Sequence, residues 1–366
     1  MAEQAGTVVA VDTLRNFVAE IFAAAGCGRN EAGCVARHLV QANLAGHDSH
    51  GVIRVPRYVL ALRQEFVRAG RTITIVTETP TYALVDGNLG FGQSIGEQAV
   101  DLGIRKAKES ALSVIALRNV GHLGRIGDWG ERAAEAGLVS IHFVNVTAGE
   151  LVAPFGGVDR RFATDPICIA IPAPDGGIPM LLDFATSLVA EGKVLVASNG
   201  GKPVPDNALI GPDGTMSGDP RLLYGEIAGT RERSTGQGAG ALRTFGEHKG
   251  SGLAFMCEIL GGVLTGGGTA GPVEGKRTIR ITNNMLSFYL DPAKLGAGDF
   301  VARAQEYARY VKASRPAVPG QAVLVPGEPE ARTRAHRLAH GIPLQPDTWA
   351  ALVATGDALN LQPPAV

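Results

Sequence analysis

Between Ala45 and Tyr58 the chain reads AGHDSHGVIRVPRY, which places His47, Asp48 and His50 within four positions and follows them with Arg54, Arg57 and Tyr58. Histidine titrates near neutral pH and can give or take a proton there. Arginine stays charged, and its planar fork grips a carboxylate with two hydrogen bonds. A proton-handling imidazole beside a carboxylate clamp suits a 2-hydroxy acid or its 2-oxo partner. Two other readings of the same residues stand beside this one. A single histidine in a polar turn is ordinarily a surface or capping group, which is the expectation for His47. His47, Asp48 and His50 also have the donor types of a zinc or iron site, as a metal-dependent hydrolase would need, although their spacing follows no metal motif.

The elements that must hold these groups are legible in the flanks. Upstream, NEAGCVARHLVQANL carries apolar residues at helical spacing, so the histidine run falls where that helix ends. A second helix resuming near Val52 places Arg54 and Tyr58, four apart, on one face, with Pro56 in the first turns, where a missing amide is tolerated. Everything from Val11 to about Ala69 reads as helix, with glycine stops such as Gly70. From Arg71 the pattern turns to short β-branched runs, TITIVTE and YALVDG, and LSVIALRN, LVSIHFVNV, FATDPICIAIP, GIPMLLD and RTIRITNNMLSFYLDP read as further strands.

Glycine-rich junctions follow some of these strands. Gly90, Gly92 and Gly96 are spaced G-x-G-x-x-x-G, and the next strand ends in Arg118 where a ribose-binding acid would be expected, so they read as a helix start and not as a dinucleotide fingerprint. In GHLGRIGDWGERAAEAG, Gly121, Gly124 and Gly127 bracket His122 and Arg125 ahead of a helix, an arrangement that lets backbone amides approach a ligand. Asp183 ends the apolar run PMLLD, where it either caps a helix or accepts a hydrogen bond from an active-site histidine. His248 and Lys249 precede another glycine-flanked helix start and are candidates for a phosphate. Residues 199 to 246 are rich in glycine, proline and charge, and GTRERSTGQGAGALRTFG reads as a surface loop or flexible insertion.

Composition narrows the function further. The chain has 366 residues, 45% of them apolar, enough for two domains or one large one with a substantial core. Its formal net charge is −1 with acids and bases interspersed, which argues against nucleic-acid and anionic-membrane partners and for a small soluble ligand. The four cysteines, Cys27, Cys34, Cys168 and Cys257, form no CxxC pair, and the amino terminus has no basic-then-apolar leader. A cytoplasmic protein that spans no membrane is expected.

Taken together, GHDSHGVIRVPRY, GHLGRIG, LLDFATS, EHKGSGLA with EILGG, and LVPGEPEARTR with GIPL resemble, in order, the motifs of the type 2 malate/L-lactate dehydrogenase family. That family includes sulfolactate, ureidoglycolate and hydroxycarboxylate dehydrogenases and a cyclic ketimine reductase. ANLAGHDSHG, SIHFV and AEAG are most similar to its hydroxycarboxylate dehydrogenase branch. The resemblance implies an α/β fold that is not a Rossmann fold, with a largely antiparallel central sheet, a helical domain from both chain ends (1–78 with 295–366) and a nicotinamide-binding domain (79–294) carrying an insertion near 229–246. It implies a homodimer that uses NAD or NADP to interconvert a 2-hydroxy acid and a 2-oxo acid, with reduction of a cyclic ketimine carboxylate as the alternative chemistry.

By the same resemblance His50 is the proton donor and acceptor, Asp183 its orienting partner and His122 a second histidine of the site, while Arg54, Ser49 and Tyr58 face the substrate. Cofactor contacts are expected from His50, Gly124, Arg125, Ile126, Leu182, Asp183, Phe184, Ala185, His248, Lys249, Asn283, Asn284, Gly327, Glu328, Pro329 and Glu330; no metal is expected. One departure stands out: where the family commonly reads GTNP this chain has ATDP, so Asp165 replaces an amide with an acid. If it faces the cofactor, it alters binding there.

Overall fold

The computed structural model describes residues 6–174, 177–198, 203–226, 235–271 and 282–365. Its centre is a seven-stranded sheet in the order Thr74–Glu78, Tyr82–Asp86, Leu112–Val120, Thr282–Leu290, Val139–Thr147, Ile167–Ile171, Met180–Phe184. Every neighbouring pair is antiparallel except Tyr82–Asp86 with Leu112–Val120, which the helix Gly92–Ser110 connects as a parallel crossover. The sheet is therefore the largely antiparallel one expected, and no doubly wound parallel arrangement exists among the described strands. Its first strand, Thr74–Glu78, lies ahead of the boundary expected at 78, so the sheet begins a few residues earlier than the domain division drawn from sequence.

Three apolar clusters hold the chain. The largest packs the helices Gly92–Ser110 and Gly127–Glu135 on the sheet, with Trp129 and Tyr289 fully buried. Gly92 shows why glycines open that first helix: a Cβ there would stand 2.1 Å from the carbonyl oxygen of His122, so the residue serves close backbone approach, and the fingerprint reading is unnecessary. A second cluster joins both chain ends. The helices Val11–Ala24, Arg29–Leu44 and Val55–Arg63 bury Leu14, Phe22, Leu39 and Val59 against Ile342, Leu344 and Leu352, and Thr7–Val9 pairs antiparallel with Ile342–Leu344.

The third cluster, around Val152, Leu209, Leu223, Tyr224 and Leu242, includes part of the stretch expected to be a surface loop. Ala241–Leu242 is a fully buried strand paired with Leu209–Ile210, and Arg160 donates to the carbonyls of Thr235, Gly238 and Gly240. That expectation is therefore corrected for residues 235–246; the rest of the insertion, 229–234, lies outside the described residues. All four cysteines are free and buried, and no described helix is long and apolar enough to cross a membrane.

Candidate active site

A cavity of about 2060 Å³ opens where the turn after Arg29–Leu44 meets the glycine loop 121–127 and the end of strand Met180–Phe184. Asn43, at the end of its helix, builds the turn. Its Oδ1 accepts the Val52 amide at 2.9 Å and its Nδ2 donates to Asp48 at 2.6 Å. Gly51 packs so closely on this amide that a Cβ would lie 2.2 Å from Asn43 Oδ1, which explains the glycine after His50. From this turn His47, Ser49, His50, Arg54 and Tyr58 all reach the cavity wall, as do His122, Gly124, Arg125, Ile126, Leu182, Asp183, Phe184, Ala185 and Glu330.

The two histidines expected at the chemistry come together. The rings of His50 and His122 stack at 5.6 Å with an interplanar angle of 13°. Burial lowers both, helped by the Arg54 guanidinium: His50 falls well below the ordinary imidazole value and His122 to about 3, so each is neutral at neutral pH. Burial pushes Tyr58 up to about 12, so its hydroxyl keeps its proton. Gln93 Nε2 donates to the Tyr58 oxygen at 3.2 Å, and Tyr58 in turn lies 2.6 Å from His122 Nδ1. A Tyr58 hydroxyl that donates to Nδ1 leaves Nε2–H as the donor of His122. Ser49 Oγ sits 3.0 Å from His50 Nδ1 and so leaves the other ring nitrogen of His50 for proton transfer.

Arg54 donates through Nε to the Ser49 carbonyl at 2.6 Å, which ties the clamp to the histidine turn. Its Nη2 lies 3.5 Å from Glu191, a buried carboxylate that Arg57 also approaches at 3.9 Å. Glu191 opens the helix Glu191–Ser198, and nothing in the pattern VAEGKV distinguishes it from an ordinary first-turn acid. Sequence reasoning also missed Gln93, whose partner Tyr58 lies far away in the chain.

Asp183 is placed differently from expectation. Its Oδ2 accepts the amide of Gly127 at 2.8 Å, at the start of helix Gly127–Glu135, and lies 3.9 Å from Arg125 Nε; no hydrogen bond joins it to His50. The free amides of a helix start attract a carboxylate, and they hold this one at the Arg125 end of the cavity. Arg125 is itself fixed by Asp128 at 2.9 Å and Glu131 at 3.0 Å.

Several expected cofactor contacts do not reach the cavity wall. His248 and Lys249 are exposed at a helix start, with the His248 ring edge-on to Phe155. Asn283 and Asn284 are buried inside the sheet: Asn283 accepts the Leu123 amide at 2.8 Å and braces the glycine loop from behind, while Asn284 ties the neighbouring strands through Asn119, Asn145 and Thr147. Glu328 pairs with Lys312, and Gly327 and Pro329 belong to the turn that starts helix Glu328–His340, which delivers Glu330 to the wall. Asp165 also turns inward, fully buried beside Glu258 and not lining the cavity.

The metal reading of the histidine run is not supported by the geometry. The Asp48 carboxylate is held by Arg337 at 2.6 and 3.0 Å, which straps the turn to the carboxyl-terminal helix, while His47 lies 3.5 Å from Glu330. Among the described residues the ligand atoms that do converge belong to Cys34, His38 and Glu97. There Glu97 is bound by Arg37 at 2.5 Å and approached by Arg132 at 3.5 Å, an ion-pair network that ends on Asp128 through His38.

Comparison with known proteins agrees with this construction. The family model for malate/L-lactate dehydrogenase matches residues 9–353. Hydroxycarboxylate dehydrogenase B of Escherichia coli strain K12 is 41% identical over 345 residues, covering 93% of this chain and 91% of that protein. The solved malate dehydrogenase of Pyrococcus horikoshii OT3 superposes with a TM-score of 0.86 at 28% identity, over 100% of this chain and 99% of its own. The delta1-piperideine-2-carboxylate reductase of Pseudomonas syringae pv. tomato superposes with a TM-score of 0.80 at 29% identity, over 95% and 99%. The chain belongs to the malate/L-lactate dehydrogenase family.

Proposed function

We propose that the protein is a nicotinamide-dependent oxidoreductase that interconverts a 2-hydroxy acid and its 2-oxo acid, as its family and the names of its relatives support. The observation that carries this reading is the meeting of two neutral histidines with an arginine at one end of a single large cavity. The residues present fit a dinucleotide in the same cavity. At about 2060 Å³ the cavity exceeds the common range of roughly 300–1,000 Å³ for one ligand. Gly124 there adopts a positive φ of 72°, and Arg125 and the carboxylates of Asp183 and Glu330 supply polar partners. A bound nicotinamide supplies the hydride acceptor or donor.

The chain's own residues do the rest. Arg54 holds the substrate carboxylate with its fork. His50, neutral and buried, takes the hydroxyl proton during oxidation and returns it during reduction. His122, its Nδ1 bonded to Tyr58, donates through Nε2–H to the substrate oxygen and stabilises the charge that develops there. Asp183 acts at the Arg125 end of the cavity, and the expectation that it orients His50 is set aside. The substrate carboxylate, once on Arg54, offsets the guanidinium charge that helps keep His50 deprotonated and so eases its protonation for the reductive direction.

The homodimer we also propose is supported by an exposed apolar stripe, Phe255, Met256, Ile259, Val263 and Leu264, along the continuous helical segment His248–Val263 and its end. Monomer mass in sedimentation at micromolar concentration would refute it. The test of the reaction is nicotinamide absorbance with NADH and NADPH separately against a panel of 2-oxo acids and one cyclic ketimine. Turnover of 2-oxo acids is expected and also names the cofactor; turnover of the ketimine alone would move the protein to the reductase reading.

A further inference from the structure

The carboxylate clamp is not a free pair of arginines. The side chain of Glu191 is 9% exposed, and its carboxylate stands 3.5 Å from Arg54 and 3.9 Å from Arg57. Tyr224, buried in the third apolar cluster, donates its hydroxyl to Glu191 Oε1 at 3.0 Å and anchors the acid from behind. Burial alone would raise the Glu191 carboxyl, but Arg54 and Arg57 outweigh it and hold the group below the usual carboxylate range. It is therefore a fixed negative charge in the wall. With His50 and His122 neutral, this end of the cavity carries two positive charges and one negative, a surplus of one positive charge. One substrate carboxylate cancels it.

A second anionic group on the substrate would meet Glu191, and the other buried cation of the cavity, Arg125, is already held by Asp128 at 2.9 Å and Glu131 at 3.0 Å. The other charged side chains along this wall, Lys193 and Asp206, are exposed and opposite in sign. The walls beside the clamp are apolar: Leu60, Ala61 and Val67 come from the helix that carries Arg54 and its continuation, and Val189 and Val196 from the segment that carries Glu191. An uncharged side chain is accommodated there without desolvating a charge.

We propose that Glu191 is a specificity-determining residue, and that it restricts the enzyme to 2-hydroxy and 2-oxo monocarboxylates with an apolar side chain by rejecting dianionic substrates. The inference rests on the hydroxy-acid reading above and names its substrate class. Like charges facing each other across a poorly solvated site discriminate by roughly 10- to 100-fold. The wild-type enzyme should therefore reduce 4-methyl-2-oxopentanoate or phenylpyruvate with a kcat/KM at least about tenfold above those for oxaloacetate and 3-sulfopyruvate.

The test measures these four substrates with wild type and with Glu191→Gln, which keeps the shape of the side chain and removes its charge. The variant should raise the ratio of kcat/KM for the two dianions over that for the two monocarboxylates by about tenfold or more, whatever the common change in turnover. Wild-type preference for a dianion, or a selectivity unchanged in Glu191→Gln, would overturn the inference while leaving the hydroxy-acid reaction in place. Failure of all four substrates alongside turnover of a cyclic ketimine would instead defeat the reaction assignment. Should Glu191→Gln fail to fold, the wild-type ranking decides, and Tyr224→Phe, which frees the acid from its anchor, should weaken that ranking.

Discussion

Replacing Asp165 with asparagine should stabilise the protein, and increasingly so as the pH rises. Asp165 is fully buried against Glu258, with the backbone of Ala163 and Val146 beside its carboxyl. Glu258 Oε2 accepts from Asn145 at 3.1 Å and from the Ala270 amide at 2.9 Å, whereas its Oε1 has no donor. Burial, and after it the Glu258 charge, raises the Asp165 carboxyl well above its ordinary value. An amide of the same shape carries no charge to bury and offers an N–H to the orphaned Oε1. A hydrogen bond to a charged acceptor is worth about 1.5–3 kcal/mol, so a gain of about 2 kcal/mol at pH 8 is expected. For a chain of this length that corresponds to a few degrees in Tm. The sign with pH follows from linkage: a carboxyl raised in the folded state favours folding fully below its unfolded value, near pH 4, and that contribution is lost as the pH rises through the folded value. The advantage of Asp165→Asn should therefore be small at pH 4 and larger at pH 8. Thermal denaturation of both proteins across that range is the assay. A variant no more stable than wild type at pH 8, or one whose advantage shrinks between pH 5 and pH 8, would refute the reasoning.

Two further outcomes follow from the site. Tyr58→Phe removes the hydroxyl bonded to His122 Nδ1 and leaves Gln93 Nε2 only the His122 carbonyl at 3.3 Å; kcat/KM for 2-oxo acid reduction should fall roughly tenfold, the equivalent of about 1.4 kcal/mol, with the fold retained. Activity within twofold of wild type would remove Tyr58 from the mechanism. His122 and His142, both lowered to about 3 by burial, should make the protein acid-sensitive. A base lowered in the folded state contributes stability above its unfolded value of about 6.5 and loses it as the pH falls toward the folded value. The Tm of wild type relative to His142→Asn should accordingly decline from pH 6.5 to pH 4.5, and a difference that stays flat over that interval would contradict the buried neutral histidine.

What the sequence disclosed and what it hid follow a physical division. The histidine turn was legible because its groups are close in the chain and sit between two helices with clear periodicity, and the strands were legible from β-branched runs bounded by glycine. Asp183 was misplaced as the partner of His50 because a carboxylate at a strand end has two claimants, and the helix start at Gly127 becomes its neighbour only through the sheet order. Asn283 and Asn284 look like a polar turn, yet they lie in a central strand, where the Asn283 side chain braces the loop ahead and the Asn284 side chain ties the flanking strands. Glu191 was invisible for the same reason in reverse. It reads as a surface acid until the third cluster folds Tyr224 behind it and the Arg54 helix in front.

The most direct test of the central claim is steady-state reduction of a 2-oxo acid by His50→Ala beside wild type, with cofactor binding followed by nicotinamide fluorescence in both. Loss of the acid–base group should lower kcat by about 10²–10⁴-fold while the variant stays folded and binds cofactor. Near-normal turnover by a folded His50→Ala protein would contradict the account and place the proton transfer elsewhere.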